Sequence, residues 1–518
     1  MKRWRLNAVE LGVFSNRLEA ICDEMGAVLQ RSAFSPNIKD RLDFSCAVFD
    51  AAGGLSAQAA HIPVHLGSMA YAMSSIVSEC QWMEGDMVVV NDPFMGGTHL
   101  PDVTVIAPVF VNNKLVAFIA NRAHHANIGG SSPGSMPISK TLSEEGVIIS
   151  PTHLQRAGEW VTELLERLGE DIDHGDFAAQ VSANKLAVGR LSGLIAAMGY
   201  SQYGQALEQL NAYGEQLARS HLASIPDGHY CFTDVMDDDG AGLENIPITV
   251  ALTVNRNGVC ADFDGTADQV PGNINCPLSV AAAAVFYVFR CLMPSYTPCC
   301  AGVFKPIVLK APKGCLINAD YPAAVAAGNV ETSTRIADVV LGALAKALPK
   351  RIPAASHGSM NNVAMGALAR GPFKRWDYYE TIGGGMGASA AGVGLNGVQT
   401  HMTNTLNTPV ESLEMHYPLR VLSYQLRQNS GGGGCYSGGE GIVREFEFLQ
   451  PASVTLLTER RTNAPWGLAG GETGCVGENK LNGVAVSGKC ELKVQAGDRL
   501  SIASPGGGGW GHKHKSSL

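Results

Sequence analysis

The chain has 518 residues, 46% of them apolar, too long for one simple core and suited to roughly two to four packed units. A net charge of −9 excludes nucleic acid and anionic membranes as partners held by bulk electrostatics. Charged residues reach only 16%, against about a quarter in an average domain, so much of the surface is expected to be covered by partners.

Apolar residues at helical spacing (Leu6, Val9, Val13, Leu18, Ile21, Met25) predict a helix over 6–34. A strand follows at 44–50, closed by Ala51-Ala-Gly-Gly54, then a helix at 67–80. Strands are predicted at 86–91, 103–111 and 115–122, with Asn112-Asn113 turning between the last two. A proline-free helical block covers 177–224. Strands at 230–236, 246–254 and 259–263 surround the hairpin turn Asn255-Arg-Asn-Gly258, and helices are expected at 277–292 and 333–348. The remainder is glycine-punctuated β pattern. Sixty glycines, roughly 12% against ~7% on average, fit many tight turns and close backbone approaches. The expected class is α+β, multi-domain, with segregated helical blocks and glycine-rich antiparallel β regions. The expected units are 1–225, 226–350 and 351–518, the last β-dominated.

Thirteen cysteines are scattered without a C-x-x-C pair and read as reduced thiols of a cytoplasmic protein. The longest apolar run, Leu278 to Phe289, is too short to span a bilayer.

The chemistry concentrates in Asn91-Asp-Pro-Phe-Met-Gly-Gly-Thr-His-Leu-Pro-Asp102 and Arg122-Ala-His-His125. Two carboxylates (Asp92, Asp102) and three imidazoles (His99, His124, His125) bracket the predicted hairpin. Pro101 fixes its own φ and holds Leu100 extended, so His99 and Asp102 converge from a stiff turn. Imidazole and carboxylate without thiolate suit Mn²⁺, Zn²⁺ or Fe²⁺ rather than a structural zinc. On spacing alone, a divalent-metal site and a pair of turn-capping aspartates beside a core histidine both stay open.

Other motifs are weaker. Gly130-Ser-Ser-Pro-Gly134 has proline directly after the serine of a nominal G-x-S-x-G, which a nucleophile elbow does not allow. Gly383-Gly-Gly-Met-Gly387 lacks the lysine of a P-loop and reads as a tight turn against neighbouring backbone. Asp237-Asp-Asp-Gly-Ala-Gly242 reads as a solvated turn. His401-Met-Thr-Asn-Thr-Leu-Asn407 is either a polar pocket wall or a surface loop, and His61 and His65, around Pro63, read as capping or packing residues.

Taken together, the segments 37–45, 91–102, 121–130, 264–266, 272–277, 380–387, 401–404 and 408–411 make the whole chain resemble the hydantoinase B/oxoprolinase family. The resemblance implies one half of an ATP-dependent enzyme. A hydantoinase A-like ATPase would bind ATP and phosphorylate a small cyclic-amide substrate, and this chain would complete ring opening at a divalent metal, the two forming a hetero-oligomer. It implies His99, Asp102 and His124 as ligands with Asp43 as the fourth and Asp92 as its substitute. Asp92 or His125 would orient or deprotonate the attacking water, and Asn37, Arg41, His401 and Asn404 would face the substrate. Ketone carboxylation of the acetone type, or a non-catalytic scaffold role, are the alternatives.

Overall fold

The N-terminal half is organised by one antiparallel sheet. A computed structural model describes residues 5–59, 62–169, 172, 174–368 and 375–513, so His61 lies outside the described residues. Helix α1 (Ala8–Ser32) opens on a capping box: Asn7 Oδ1 accepts from the Glu10 N–H at 3.0 Å, and Glu10 Oε2 accepts from the Asn7 N–H at 2.8 Å. After the short α2 (Pro36–Lys39) come strands β1 (Phe44–Asp50), β2 (Leu55–Ala59), β3 (Met87–Val90), β4 (Asp102–Val111), β5 (Lys114–His124), β6 (Thr152–Arg156) and β7 (Glu159–Trp160). Their spatial order is β2-β1-β5-β4-β3-β6-β7, and each pairing is antiparallel.

Both faces of this sheet are covered, and alternation along the strands sorts the side chains. Helix α3 (Pro63–Glu79) lies on one face, where Met69, Met73 and Ile76 cluster with Ile106, Phe118 and Ala120. Next in the chain are α4 (Thr162–Leu168) and α5 (His174–Met198). On the opposite face, Val103 and Val105 pack with Phe177 and Val181 of α5, and Ile119 and Ala123 join the stripe of α1. Asn112 (φ 51°) and Asn113 (φ 59°) supply the two left-handed residues of a type I′ turn, and the β4–β5 register runs down from them until Asp102 stands opposite His124.

The predicted helical block splits into α5 and α6 (Tyr200–Leu222) at Gly199, whose φ of 88° no continuous helix adopts. Strands β8 (Gly228–Asp238), β9 (Glu244–Asn255), β10 (Gly258–Asp262) and β11 (Ile307–Lys310) form a second sheet, antiparallel except for the β10–β11 pair. Helix α7 (Leu278–Cys291) packs on α3, and α8 (Ser333–Ala347) lies between α7 and that sheet. The expected solvated turn at 237–242 is anchored instead. Asp237 is buried and accepts from the Asn463 N–H at 3.0 Å, and Asp239 is buried and accepts from the Gly272 N–H at 3.1 Å.

In the C-terminal part, β12 (Asn362–Ala367) and β13 (Trp376–Glu380) precede α9 (Val410–His416), β14 (Leu419–Arg427), β15 (Gly441–Phe448), β16 (Ala452–Leu457), β17 (Glu478–Leu481), β18 (Val484–Val486), β19 (Lys489–Val494) and β20 (Arg499–Ala503). They make two sheets, β13-β12-β16-β19 and β14-β15-β20-β17-β18, that share a core of Val363, Met365, Ile442, Phe446 and Leu500. The segment 383–387 does approach neighbouring backbone: a Cβ on Gly385 would lie 1.9 Å from the Gly439 carbonyl oxygen. The fold is therefore α+β. Among the described residues no helix is long and apolar enough to cross a membrane.

The α3–α7 crossing generates a stability prediction. A Cβ on Gly67 of α3 would come within 2.4 Å of the Ala283 Cα. Glycine to alanine inside a helix gains about 1 kcal/mol of propensity, whereas overpacking costs about 1–3 kcal/mol. Gly67→Ala is therefore expected to lower the urea midpoint at unchanged m-value, and a raised midpoint would refute the close crossing.

Candidate metal centre

Three side chains from one end of the hairpin meet. Asp102 begins β4, His124 ends β5 directly opposite it, and His99 stands on the turn before β4. The His99 Nε2 and His124 Nδ1 atoms each lie 3.3 Å from Asp102 Oδ1, and all three residues are buried. Ligand atoms around a tetrahedral or octahedral ion at usual bond lengths stand about 3.0–3.5 Å apart, so the separations fit one cation. Among the described residues this trio is the one group of three or more acidic, histidine or cysteine side chains within metal-sharing reach.

Hydrogen bonding makes the fit stronger. The Ala326 carbonyl, which can only accept, lies 3.3 Å from His99 Nδ1 and so holds the proton on that nitrogen. In neutral His99 this leaves the Nε2 lone pair facing a carboxylate oxygen, an arrangement that requires a proton or a metal between them. His99 Nε2, Asp102 Oδ1 and His124 Nε2 are all buried without a hydrogen-bond partner. Burial opposes charge on His99, but Asp102 and the Ala326 carbonyl outweigh it and raise the pKa. Burial dominates at His124 and lowers it. Burial would also raise Asp102, yet the imidazoles of His65, His99 and His124 hold it well below the usual carboxylate range. The centre is thus a fixed anion ringed by imidazoles.

Asp102 is held from its other oxygen too. Oδ2 accepts from Thr98 Oγ1 at 2.6 Å and Asn329 Nδ2 at 3.1 Å, and His65 Nε2 of α3 lies 3.1 Å away. Glu145 steadies His99 at one remove: its Oε1 accepts from the Val325 and Ala326 N–H groups at 2.9 and 3.0 Å. His65, expected as a capping or packing residue, is therefore part of the centre's hydrogen-bonded surroundings. Sequence reading missed Thr98, Asn329 and Glu145. Only Thr98 had a local signal, its place beside His99.

The other expected residues separate. Asp43 is adjacent, since the His124 N–H donates to the Asp43 carbonyl at 3.0 Å, but its carboxylate lies outside the trio. Asp92 is spent on the loop: Oδ1 accepts from the Phe94 N–H at 3.0 Å, capping the turn Pro93–Met95, and Oδ2 accepts from Ser150 Oγ at 3.4 Å. His125 follows His124 in extended chain and so points to the opposite face, where Nε2 meets Gln180 Oε1 at 2.9 Å and its ring packs on Phe177. In the structure, then, Asp92 caps a turn and His125 contacts α5.

On the substrate side, Arg41 is fully buried; Nη1 donates to Asn37 Oδ1 at 3.2 Å, and Nη2 to Thr381 and Thr405 hydroxyls at 3.3 and 3.4 Å. Arg41 Nε and Asn37 Nδ2 remain buried and unpartnered. His401 adopts φ 59°, with Nε2 3.3 Å from Asp338 Oδ1, while Asn404 is exposed on the same loop.

A family model described as hydantoinase B/oxoprolinase matches residues 7–513. The chain belongs to this family. It is 38% identical to 5-oxoprolinase 1 of Arabidopsis thaliana over 98% of its own length but only 42% of that protein's. The crystal structure of the ATP-dependent caprolactamase from Pseudomonas jessenii superposes with a TM-score of 0.90 at 26% identity, covering 98% of this chain and 92% of that one. A nucleotide-free acetone carboxylase structure shares the fold, with a TM-score of 0.85 at 17% identity over 97% of this chain and 75% of that one.

Two buried carboxyls near the centre predict a pH dependence. Burial raises Glu145 to about 7, and burial together with Glu459 raises Glu331 to about 8. A carboxyl whose folded pKa is raised favours the folded state at low pH, and that contribution erodes as pH climbs from about 4.5 through about 8. In chelator, Glu331→Gln should show a shallower fall of Tm across that range than the wild type. Parallel curves would refute the assignment.

Proposed function

We propose that this chain is the metal-bearing half of an ATP-dependent cyclic-amide hydrolase of the hydantoinase, 5-oxoprolinase or lactamase type, working with a hydantoinase A-like ATPase in a hetero-oligomer. The observation that carries the reading is the buried trio His99, Asp102 and His124, in which His99 Nε2 and Asp102 Oδ1 face each other without a hydrogen-bond partner and His124 Nδ1 lies 3.3 Å from the same oxygen. Its setting supports it: the chain spans about two-fifths of a 5-oxoprolinase yet nearly all of a caprolactamase chain.

An unstrained cyclic amide is a poor electrophile, and phosphorylating its oxygen by an ATPase makes that oxygen a leaving group. A divalent ion held by His99, Asp102 and His124 would supply Lewis acidity and lower the pKa of its water toward ~7. Asp43, joined to His124 through its carbonyl, is the candidate fourth ligand; Asp92 already has both oxygens engaged. Arg41 and Asn37 keep buried donors free beside this end of the sheet, suited to a phosphorylated oxygen. His401, set by Asp338, is the candidate acid–base group on the substrate side.

The purified chain is expected to bind a divalent ion, release protons on binding, and turn over no cyclic amide until the ATPase and ATP are added. Losses around a metal site short of a ligand cost about 10–100-fold in affinity, so His99→Ala should exceed that and silence the complex. ATP-independent hydrolysis by the chain alone, or unchanged complex activity in His99→Ala, would overturn the reading.

A further inference from the structure

Between Ala327 and α8 the backbone winds through a π turn, Gly328–Thr332, all of whose residues are buried. Such turns are rare, and they are frequent at functional sites. Here the turn lies between the N-terminal sheet and β12, and two of its side chains reach in different directions. Asn329 donates to Asp102 Oδ2 at 3.1 Å. Glu331 Oε1 accepts from the Met360 N–H at 2.9 Å and from Asn362 Nδ2 at 2.7 Å.

The second arm returns to the centre. Asn362 Oδ1 accepts the Tyr379 hydroxyl at 2.6 Å, and the Tyr379 ring lies flat against His124, with centroids 4.8 Å apart and planes 7° from parallel. The Arg41 guanidinium carbon is 4.8 Å from the centroid of that same ring. Asp102 and His124 are themselves in contact at 3.3 Å, so the contacts close a ring: Asp102, Asn329, Glu331, Asn362, Tyr379, His124 and back. The tyrosine hydroxyl is committed to Asn362 and burial keeps it protonated, so Tyr379 acts by its face.

We propose that the π turn Gly328–Thr332 is a positioning device for the metal ligands, orienting the Asp102 carboxylate through Asn329 and the His124 ring through Glu331, Asn362 and Tyr379. The proposal rests on reading His99, Asp102 and His124 as a metal site. It gives the middle of the chain a defined job there: it contributes no ligand among these residues but sets the angle of two. An imidazole free to tilt, or a carboxylate free to rotate, spends part of its time off the ion, and the affinity falls accordingly.

The test uses the full chain stripped with chelator, titrated with Zn²⁺, and in parallel loaded with Co²⁺ to read its visible ligand-field bands. The variants are Asn329→Ala, Tyr379→Leu and Tyr379→Phe, each with a melting curve of the metal-free protein. Asn329→Ala and Tyr379→Leu are expected to weaken Zn²⁺ binding by about 10–100-fold and to shift the Co²⁺ bands, with a lowered metal-free Tm that still leaves the chain folded at the titration temperature. Tyr379→Phe keeps the ring face but cuts the bond to Asn362, so it should fall between the wild type and Tyr379→Leu, and wild-type affinity and spectrum in Tyr379→Phe would overturn the arm through Asn362. If Tyr379→Leu does not fold, Asn329→Ala with its Co²⁺ spectrum decides. A wild-type chain that binds no ion sinks the metal reading itself. A wild type that binds, with Asn329→Ala matching its affinity and spectrum, overturns the positioning role and leaves the metal site standing.

Discussion

Everything at the centre depends on the register of three neighbouring strands. In β4 and β5 the pairing places Asp102 opposite His124, and one strand further on the Asp43 carbonyl accepts the His124 N–H. Because side chains alternate with a period of two, a slip of one residue would send Asp102 or His124 to the α5 face and bring Val103 or Ala123 in its place. The register is held from the far end by Asn112-Asn113, ten residues from Asp102, and from within by Arg122. That guanidinium donates to Thr104 Oγ1 and Ser68 Oγ, each at 2.7 Å, tying β5 to β4 and to α3. The same alternation divides the adjacent histidines His124 and His125 between two faces of one sheet.

Local elements were legible where a local cause makes them. Helix α1, strand β1, the two-asparagine turn and the Asn255–Gly258 hairpin stand where sequence places them, because helical spacing, capping and left-handed asparagines act over a few residues, although Val9 and Val13 of the expected stripe are exposed. The trio could be read as a cluster for the same reason: its members flank a single hairpin and meet at its open end. What sequence left unseen were contacts made at long range: Ser150 reaches Asp92 from 58 residues away, and α3 brings His65 to Asp102. Asn329, Glu145 and Tyr379 lie tens to hundreds of residues from the residues they serve, with no spacing to betray them.

The centre also shows why so polar a cluster stays buried. A carboxylate removed from water is costly unless its oxygens are bonded, and Asp102 Oδ2 gathers a hydroxyl, an amide and an imidazole. Oδ1 is left to the two remaining histidines. One oxygen is satisfied by a hydroxyl, an amide and an imidazole, and the other faces His99 and His124 with no hydrogen-bond partner of its own.

The glycine-rich contacts of the C-terminal part carry a different consequence, at the level of the gene. Cβ atoms at Gly385, Gly387, Gly439 and Gly507 would each fall within 2.1 Å of a carbonyl oxygen on another segment. The four glycine codons share their first two bases, so a change at either of those bases adds a side chain or ends the chain, while the third base is free. Point mutations at these four codons are therefore nearly all-or-nothing: silent in one position, disruptive in the other two, with little room for the graded substitutions by which a helix surface drifts.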